Sequence, residues 1–442
     1  MRRCGSTELN RMASCFAAPL AVFLTVALRC TAGDDVARAD ELFRLSKVAV
    51  TDSSGSSGFR TLPPAIQPMT TVSADGSGYF SDPSPVRLAP SRGGRTQVFS
   101  GTTKAIMSCA YPVTGRCFSW TRVAVNSGAL RATIAAAGAT VTNFQNLAAF
   151  QDDAGGWHAV LAIGVRSPAH PDHWTVLVHA QPAAVGVPGT VPPAWSADSV
   201  LAGSFATPAD GNYDGKHFQD GERLYLLYVK NFVSKPGLRN GIVIQPMLSP
   251  TQAAPEGATT LLLPGDRDGA LDSEWYDHTK AKLVEAPYIV KIAEKYALLY
   301  STGAYQQDDY KAGVAWSDTL RPAAGRFYRK VLEIDSRGIW GHPGRAEVRY
   351  LLQSQRPRWP NFTGGQVISP GVASAVRGPG GAWWLYFAGF DPADRPLTSP
   401  GVAEADHRRP YFVRLRASVP VAQTVAAATD AELAAWLQPE AQ

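Results

Sequence analysis

The sequence predicts an all-β fold, a five-bladed β-propeller, on three observations. Composition is the first: 40 Gly, 33 Pro and 43 aromatic residues (11 Trp, 15 Tyr, 17 Phe) against 18% charged residues suit short strands and many turns rather than long helices. The second is a repeat, in which a short extended opener led by a polar or small residue is followed by a turn and an apolar strand ending in a small residue. It recurs as "FSDPSPVRL" with "TQVFSGT", "FQNLAAFQD" with "WHAVLAIG", "NYDGKHFQD" with "RLYLLYV", "VEAPYIVKI" with "KYALLYSTG", and "SPGVASAVR" with "AWWLYFAG". The third is spacing: Asp82 to Gly101, Gln145 to Gly164, Glu285 to Gly303 and Gly371 to Gly389 are each separated by 18 or 19 residues. One blade cannot bury both of its faces, so five such units imply a closed ring whose openers line a central channel. A β-sandwich predicts no repeated opener at a constant distance from its partner.

Along the chain, Arg2, Arg3 and Arg11 precede the uncharged run "FAAPLAVFLTVAL" and then small residues ending in "ARA" at Ala37–Ala39. That order predicts a secretory signal over 1–39, too short in its apolar run to span a membrane, and a secreted or periplasmic protein. Its removal leaves 37 basic against 34 acidic residues, a balance that makes no case for nucleic-acid binding. Residues 40–78, with "TDSSGSSG" at 51–58, read as a linker, and the propeller is expected over 79–420. The tail 421–442 predicts one short helix in "AAATDAELAAWLQ", with Thr429 or Asp430 near its start. Once the signal is gone only Cys109 and Cys117 remain, in "CAYPVTGRC", either as a small disulfide loop or as two neighbouring thiols.

Three openers carry a carboxylate: Asp82, Asp214 and Glu285. On a propeller these would share one axial pocket, and glycoside hydrolysis needs such a set. One acid protonates the departing oxygen, one carboxylate activates water, and a third holds the acid and raises its pKa. "DPSP" and "NYDG" also read as turns, and Asp220 in "QDGER" is the alternative to Asp214. Glu285 has the weakest ordinary explanation, because an acid between apolar neighbours is costly unless paired or functional.

These motifs resemble glycoside hydrolase family 43 and its clan, five-bladed propellers that act on arabinofuranosides and xylosides with inversion. "FSDPSPVRL" with "VFSGT" is similar to the family's first-blade motif, which implies Asp82 as general base. "NYDGKHFQDGERLYLLY" is similar to the third-blade motif, implying that Asp214 positions and tunes the acid. "VEAPYIVKIAEKYALLYSTGAY" is similar to the fourth-blade motif, implying Glu285 as general acid. The resemblance runs from about Tyr79 to about Arg416. It departs at "SPGVAS", where Val372 stands in place of a fifth-blade His that serves a central ion or water site, so no cofactor is expected to be required and an axial calcium is in doubt.

Gln145 and Asn146 on the second opener, and Trp316 among the tryptophans, are the expected substrate contacts; most propeller Trp wedge between blades. "HPDH" at His170–His173 reads as a solvated loop, with no zinc-site spacing. The expected partner is an oligo- or polysaccharide. A non-catalytic carbohydrate-binding propeller, or a glycosidase of a neighbouring propeller family, stays open, and the sequence does not fix the oligomeric state.

Overall fold

The computed structural model describes residues 65–69, 81–88, 96–101, 106–110, 117, 120–184, 191–208, 211–231, 240–265, 274, 282–305, 309–334, 344–354, 366–378, 381–393 and 408–441. The expected signal segment, the "TDSSGSSG" stretch and Tyr79 lie outside them. The described residues belong to one compact unit, Phe59–Ala441.

A two-residue strand, β1 (Gln67–Pro68), opens the described chain. The first blade follows as β2 (Ser81–Arg87), β3 (Thr96–Gly101), β4 (Ile106–Ala110) and β5 (Trp120–Asn126). A short helix α1 (Arg131–Ala136) leads into the second: β6 (Thr140–Gln151), β7 (Trp157–Ser167), β8 (His170–Pro182) and β9 (Ala194–Ala202). The third comprises β10 (Asn212–Asp220), β11 (Arg223–Asn231), β12 (Asn240–Ser249), β13 (Gln252–Ala253) and β14 (Thr259–Leu262). The fourth is β15 (Glu285–Ile292), β16 (Lys295–Thr302), β17 (Lys311–Ser317) and β18 (Arg329–Lys330), followed by a small pair, β19 (Leu332–Ile334) and β20 (Ala346–Val348). The fifth is β21 (Ile368–Arg377), β22 (Trp383–Phe390) and β23 (Arg409–Ala417), then helix α2 (Asp430–Trp436) and strand β24 (Leu437–Pro439).

Within each blade, sequential strands pair antiparallel. The outer strands of the first two blades also meet in parallel, Ala124 opposite Ala194, merging them into one eight-stranded sheet. The innermost strands close a ring: β2 touches β6, β6 touches β10, β10 touches β15, β15 touches β21, and β21 returns to β2. Each interface has its own apolar core. Along β11 the alternation of strand side chains divides the work: Leu226 and Tyr228 pack toward Val160 and Leu177 of the second blade, Tyr225 and Leu227 toward Ile289 and Leu298 of the fourth. Each fully buried apolar side chain of this kind contributes about 1.5–3 kcal/mol.

The last blade is built from both ends of the described residues. Strand β1, inside the expected linker, pairs with β23 through Gln67 opposite Phe412. In the tail, β24 pairs with the other end of β23, and Leu433 and Trp436 of α2 are buried in the core shared by the fourth and fifth blades. Helix α2 starts at a capping box, with Thr429 accepting from the Glu432 amide and the Glu432 carboxylate accepting from the Thr429 amide. Cys109 and Cys117 are joined in a disulfide beside the interface of the first and fifth blades. Among the described residues no helix is long and apolar enough to cross a membrane.

Candidate active site

All five innermost strands carry a β-bulge facing the axis. Three residues on the inner strand span two on its partner between Ser81 and Ser84, Gln145 and Ala148, Tyr213 and Lys216, Glu285 and Tyr288, and Gly371 and Ser374. The first extra residue is left-handed every time: Asp82 (φ 56), Asn146 (φ 52), Asp214 (φ 53), Ala286 (φ 51) and Val372 (φ 55). None is glycine, so each costs of order 1–2 kcal/mol that the closed ring must offset. The bulge breaks the in-out alternation and turns a side chain toward the channel. It also corrects the alignment that spacing suggested: Gln145 is the structural equivalent of Glu285, while Asn146 is the equivalent of Asp82 and Asp214.

Asp214 is the buried centre of the set. Its Oδ1 accepts from Asn146 Nδ2 at 2.5 Å and its Oδ2 from the Ala286 amide at 2.8 Å, so it ties the second and fourth blades together. Gly215 beside it is required, since a Cβ there would lie 2.6 Å from Val160 Cγ1. Burial raises the Asp214 pKa above the ordinary carboxylate value, opposed by Lys216 and by the two hydrogen bonds. Burial also pushes Asp82 up to about 6; Arg408 opposes the rise, Asp214 adds to it, and Lys216 opposes it. Lys216 thus sits within electrostatic reach of both carboxylates, and its own pKa is lowered by burial. Asp220, the alternative to Asp214, lies at the far end of β10, where it accepts from Tyr296 (2.6 Å) and Lys291 (3.3 Å). It is a structural ion-pair residue away from the pocket.

Glu285 is held by two phenols. Tyr310 donates to its Oε1 at 2.6 Å and Tyr213 to its Oε2 at 3.3 Å, while Asn240 donates to the Tyr213 oxygen at 2.5 Å. The Asn240 oxygen accepts from the Val284 amide, fixing the chain just before Glu285. The guanidinium carbon of Arg408 lies 5.1 Å from the centre of the Tyr310 ring, and Nη2 donates to the carbonyls of Ala388 (2.8 Å) and Ser369 (3.3 Å). Sequence reasoning missed Tyr213, Tyr310 and Arg408. Tyr213 stood next to a chosen residue, but Tyr310 and Arg408 precede outer strands of their blades and reach the axis only through ring closure.

Asp82, Asp214, Glu285, Gln145 and Asn146 therefore gather at one end of the axis. Trp316 does not. It is fully buried on β17, edge-on to Trp436 of α2 with ring centres 5.3 Å apart, so no face is open to a sugar. The aromatic ring that fits this slot serves inter-blade packing. Val372 is largely buried against Ala286 and Tyr310. Among the described residues, no three His, Cys, Asp or Glu side chains are grouped to hold a metal.

A cleft of about 510 Å³ opens between the second and third blades, lined by Gln145, Tyr213, Asn231 and the β7–β8 hairpin from His170 to Thr175; Asp82, Asp214 and Glu285 do not line it, and Tyr213 connects it to Glu285. The "HPDH" residues are exposed, as the sequence reading expected, and form a wall of this cleft.

The chain folds as a five-bladed propeller with three carboxylates at one end of its axis, and the fold is shared with solved family-43 glycoside hydrolases. The chain is similar to an α-L-arabinofuranosidase from Lactobacillus brevis (13% identity, 77% of this chain and 92% of that one, TM-score 0.56). It is similar also to a thermostable family-43 glycoside hydrolase (15% identity, 83% and 94%, TM-score 0.55) and to an exo-1,5-α-L-arabinanase from a bovine ruminal metagenomic library (14%, 83% and 99%, TM-score 0.50). No family model and no curated protein matches the sequence.

Proposed function

We propose that the protein is an exported glycoside hydrolase that cleaves arabinofuranoside or xyloside linkages of pentose-containing glycans with inversion. The observation that carries this reading is the meeting of Asp82, Asp214 and Glu285 from three blades at one end of the axis, in a fold shared with arabinan- and xylan-active enzymes. Asp82, protonated below about 6 and ionised above, is suited to take a proton from water near neutral pH. Glu285, positioned through Oε1 by Tyr310, protonates the leaving oxygen. Asp214 fixes the backbone at Ala286 and so the orientation of Glu285, and its negative charge favours the protonated acid. Inversion requires the base and the acid to stand roughly 6.5–9.5 Å apart so that water fits between them. No cofactor enters the mechanism, and the "ARA"-type signal accounts for export.

The test is sugar release from arabinan, arabinoxylan and xylo-oligosaccharides, with Glu285→Gln assayed beside the wild type and the product anomer followed by NMR. Inverted product that is lost in Glu285→Gln supports the reading. Retained anomeric configuration overturns the inverting mechanism. Absence of release from every glycan, with sugar binding unchanged in Glu285→Gln, replaces the hydrolase with a carbohydrate-binding propeller.

A further inference from the structure

We propose that the cleft between the second and third blades is the subsite for the departing part of a neutral glycan chain, joined to the acid by Tyr213; this rests on the hydrolase reading above. At about 510 Å³ the cleft falls within the range of small-ligand sites and has room for more than one pentose ring. Its inner wall holds Gln145 and Tyr213, the residues directly before the bulge positions Asn146 and Asp214. The bulge sends Asn146 and Asp214 to each other and leaves their neighbours facing the cleft.

Tyr213 decides which portion of the substrate belongs there. Its phenol donates to Oε2 of Glu285 while its ring lines the cleft. A general acid delivers its proton to the oxygen of the group that departs, so that group must lie on the acid's side of the scissile bond. Tyr213, which lines the cleft and donates to Glu285, sets the cleft next to the acid. Its outer wall is anchored where Trp174 Nε1 donates to the Ser204 carbonyl at 2.9 Å, with His170 edge-on to the same indole.

The lining chemistry specifies a neutral ligand. Asp172, His173, Thr175, Asn231 and Gln145 offer donors and acceptors suited to sugar hydroxyls; among the described residues no lysine or arginine lines the cleft to pair a uronate carboxylate, and the Asp172 carboxylate would repel one. The side-chain oxygen of Asn231 is buried with no hydrogen-bond partner among the described residues, a vacancy that a small shift toward a hydroxyl donor would fill. The "HPDH" hairpin thereby has a role in recognition.

The experiment measures kcat/KM on neutral pentosyl oligosaccharides of two to five units, for the wild type and for a His173→Ala, Asn231→Ala double variant whose thermal midpoint shows it to be folded. The wild type is expected to gain at least tenfold from the shortest to the longest substrate, and the double variant to retain less than threefold of that gain. A flat wild-type profile, or a gain that survives in the double variant, overturns the subsite. A preference for an oligosaccharide bearing a uronic acid on its departing part overturns the neutral-ligand assignment. Absence of hydrolysis on every substrate overturns the hydrolase reading itself, and is distinguishable from a flat profile, in which hydrolysis persists.

Discussion

Tyr310 donates its phenolic proton to Oε1 of Glu285 across 2.6 Å, from a strand edge 25 residues further along the chain. Its ring lies over Gly371 of the next blade, where a Cβ would come within 2.1 Å of Tyr310 Cε1. Three separate stretches of sequence therefore fix one carboxylate.

Tyr310→Phe removes that hydrogen bond and leaves the ring packing in place. As Glu285 gives up its proton a carboxylate develops that the Tyr310 hydroxyl stabilises, and a hydrogen bond to a charged group is worth about 1.5–3 kcal/mol, so kcat/KM on a glycan substrate is expected to fall roughly tenfold to a hundredfold with little change in thermal midpoint. An unchanged kcat/KM would show that the bond is idle. Gly371→Ala is expected to cost both activity and about 1–3 kcal/mol of stability, because the Tyr310 ring must move.

Asp82 gives two linked expectations. If it is the base, kcat/KM has an acid limb with its midpoint near pH 6, the value to which burial raises this carboxyl. The folded protein holds the Asp82 proton more tightly than the unfolded chain, whose value is 3.8, so a stability cost grows as pH rises from about 4 to 6 and persists above. Asp82→Asn is therefore expected to be inactive yet more stable at pH 7, by about 1–3 kcal/mol in denaturant unfolding. A less stable variant would contradict the raised pKa.

Acid is expected to loosen the second and third blades. Burial lowers the His217 imidazole from 6.5 to about 3, and His179, hydrogen-bonded to Asp198 at 2.7 Å and to His158 at 3.0 Å, is lowered too. Both stay neutral in the fold and take up protons on unfolding. The His217 contribution is full above pH 6.5 and is lost as pH falls toward 3, by up to about 1.4 kcal/mol per pH unit, and His179 acts in the same direction. His217→Asn is expected to flatten the decline of thermal midpoint between pH 6 and pH 4; a parallel decline would remove His217 from the account.

The Cys109–Cys117 bridge closes a short loop, with a sequence separation of 8. Its removal in Cys109→Ser, Cys117→Ser is expected to cost about 2–3 kcal/mol, and dithiothreitol to lower the midpoint of the wild type but not of the variant. Equal sensitivity of the two proteins would mean that reduction acts elsewhere.

The five openers and their carboxylates were legible because strand alternation and a polar residue in an apolar run are local signals. The bulges were not. Asp82, Asn146, Asp214, Ala286 and Val372 are ordinary residues held at positive φ by the assembled ring, with no glycine to announce the turn. Glu285 could be chosen from its neighbours, yet Tyr310 and Arg408 could not, since nothing near them in sequence speaks of the axis. Trp316 failed for the opposite reason: an indole reads the same whether it meets solvent or, as here, Trp436.

The pairing of Gln67 with Phe412 and of Pro68 with Tyr411 joins segments that are nearly the whole domain apart in sequence. Contacts of such separation carry a large loop-closure entropy and form late. The first four blades are built from local hairpins, but the fifth is complete only when the segments at 67–68 and 437–439 have both arrived. In a refolding experiment, strand signal should therefore appear before the pocket does, leaving an interval in which most of the protein is structured and none of it is active.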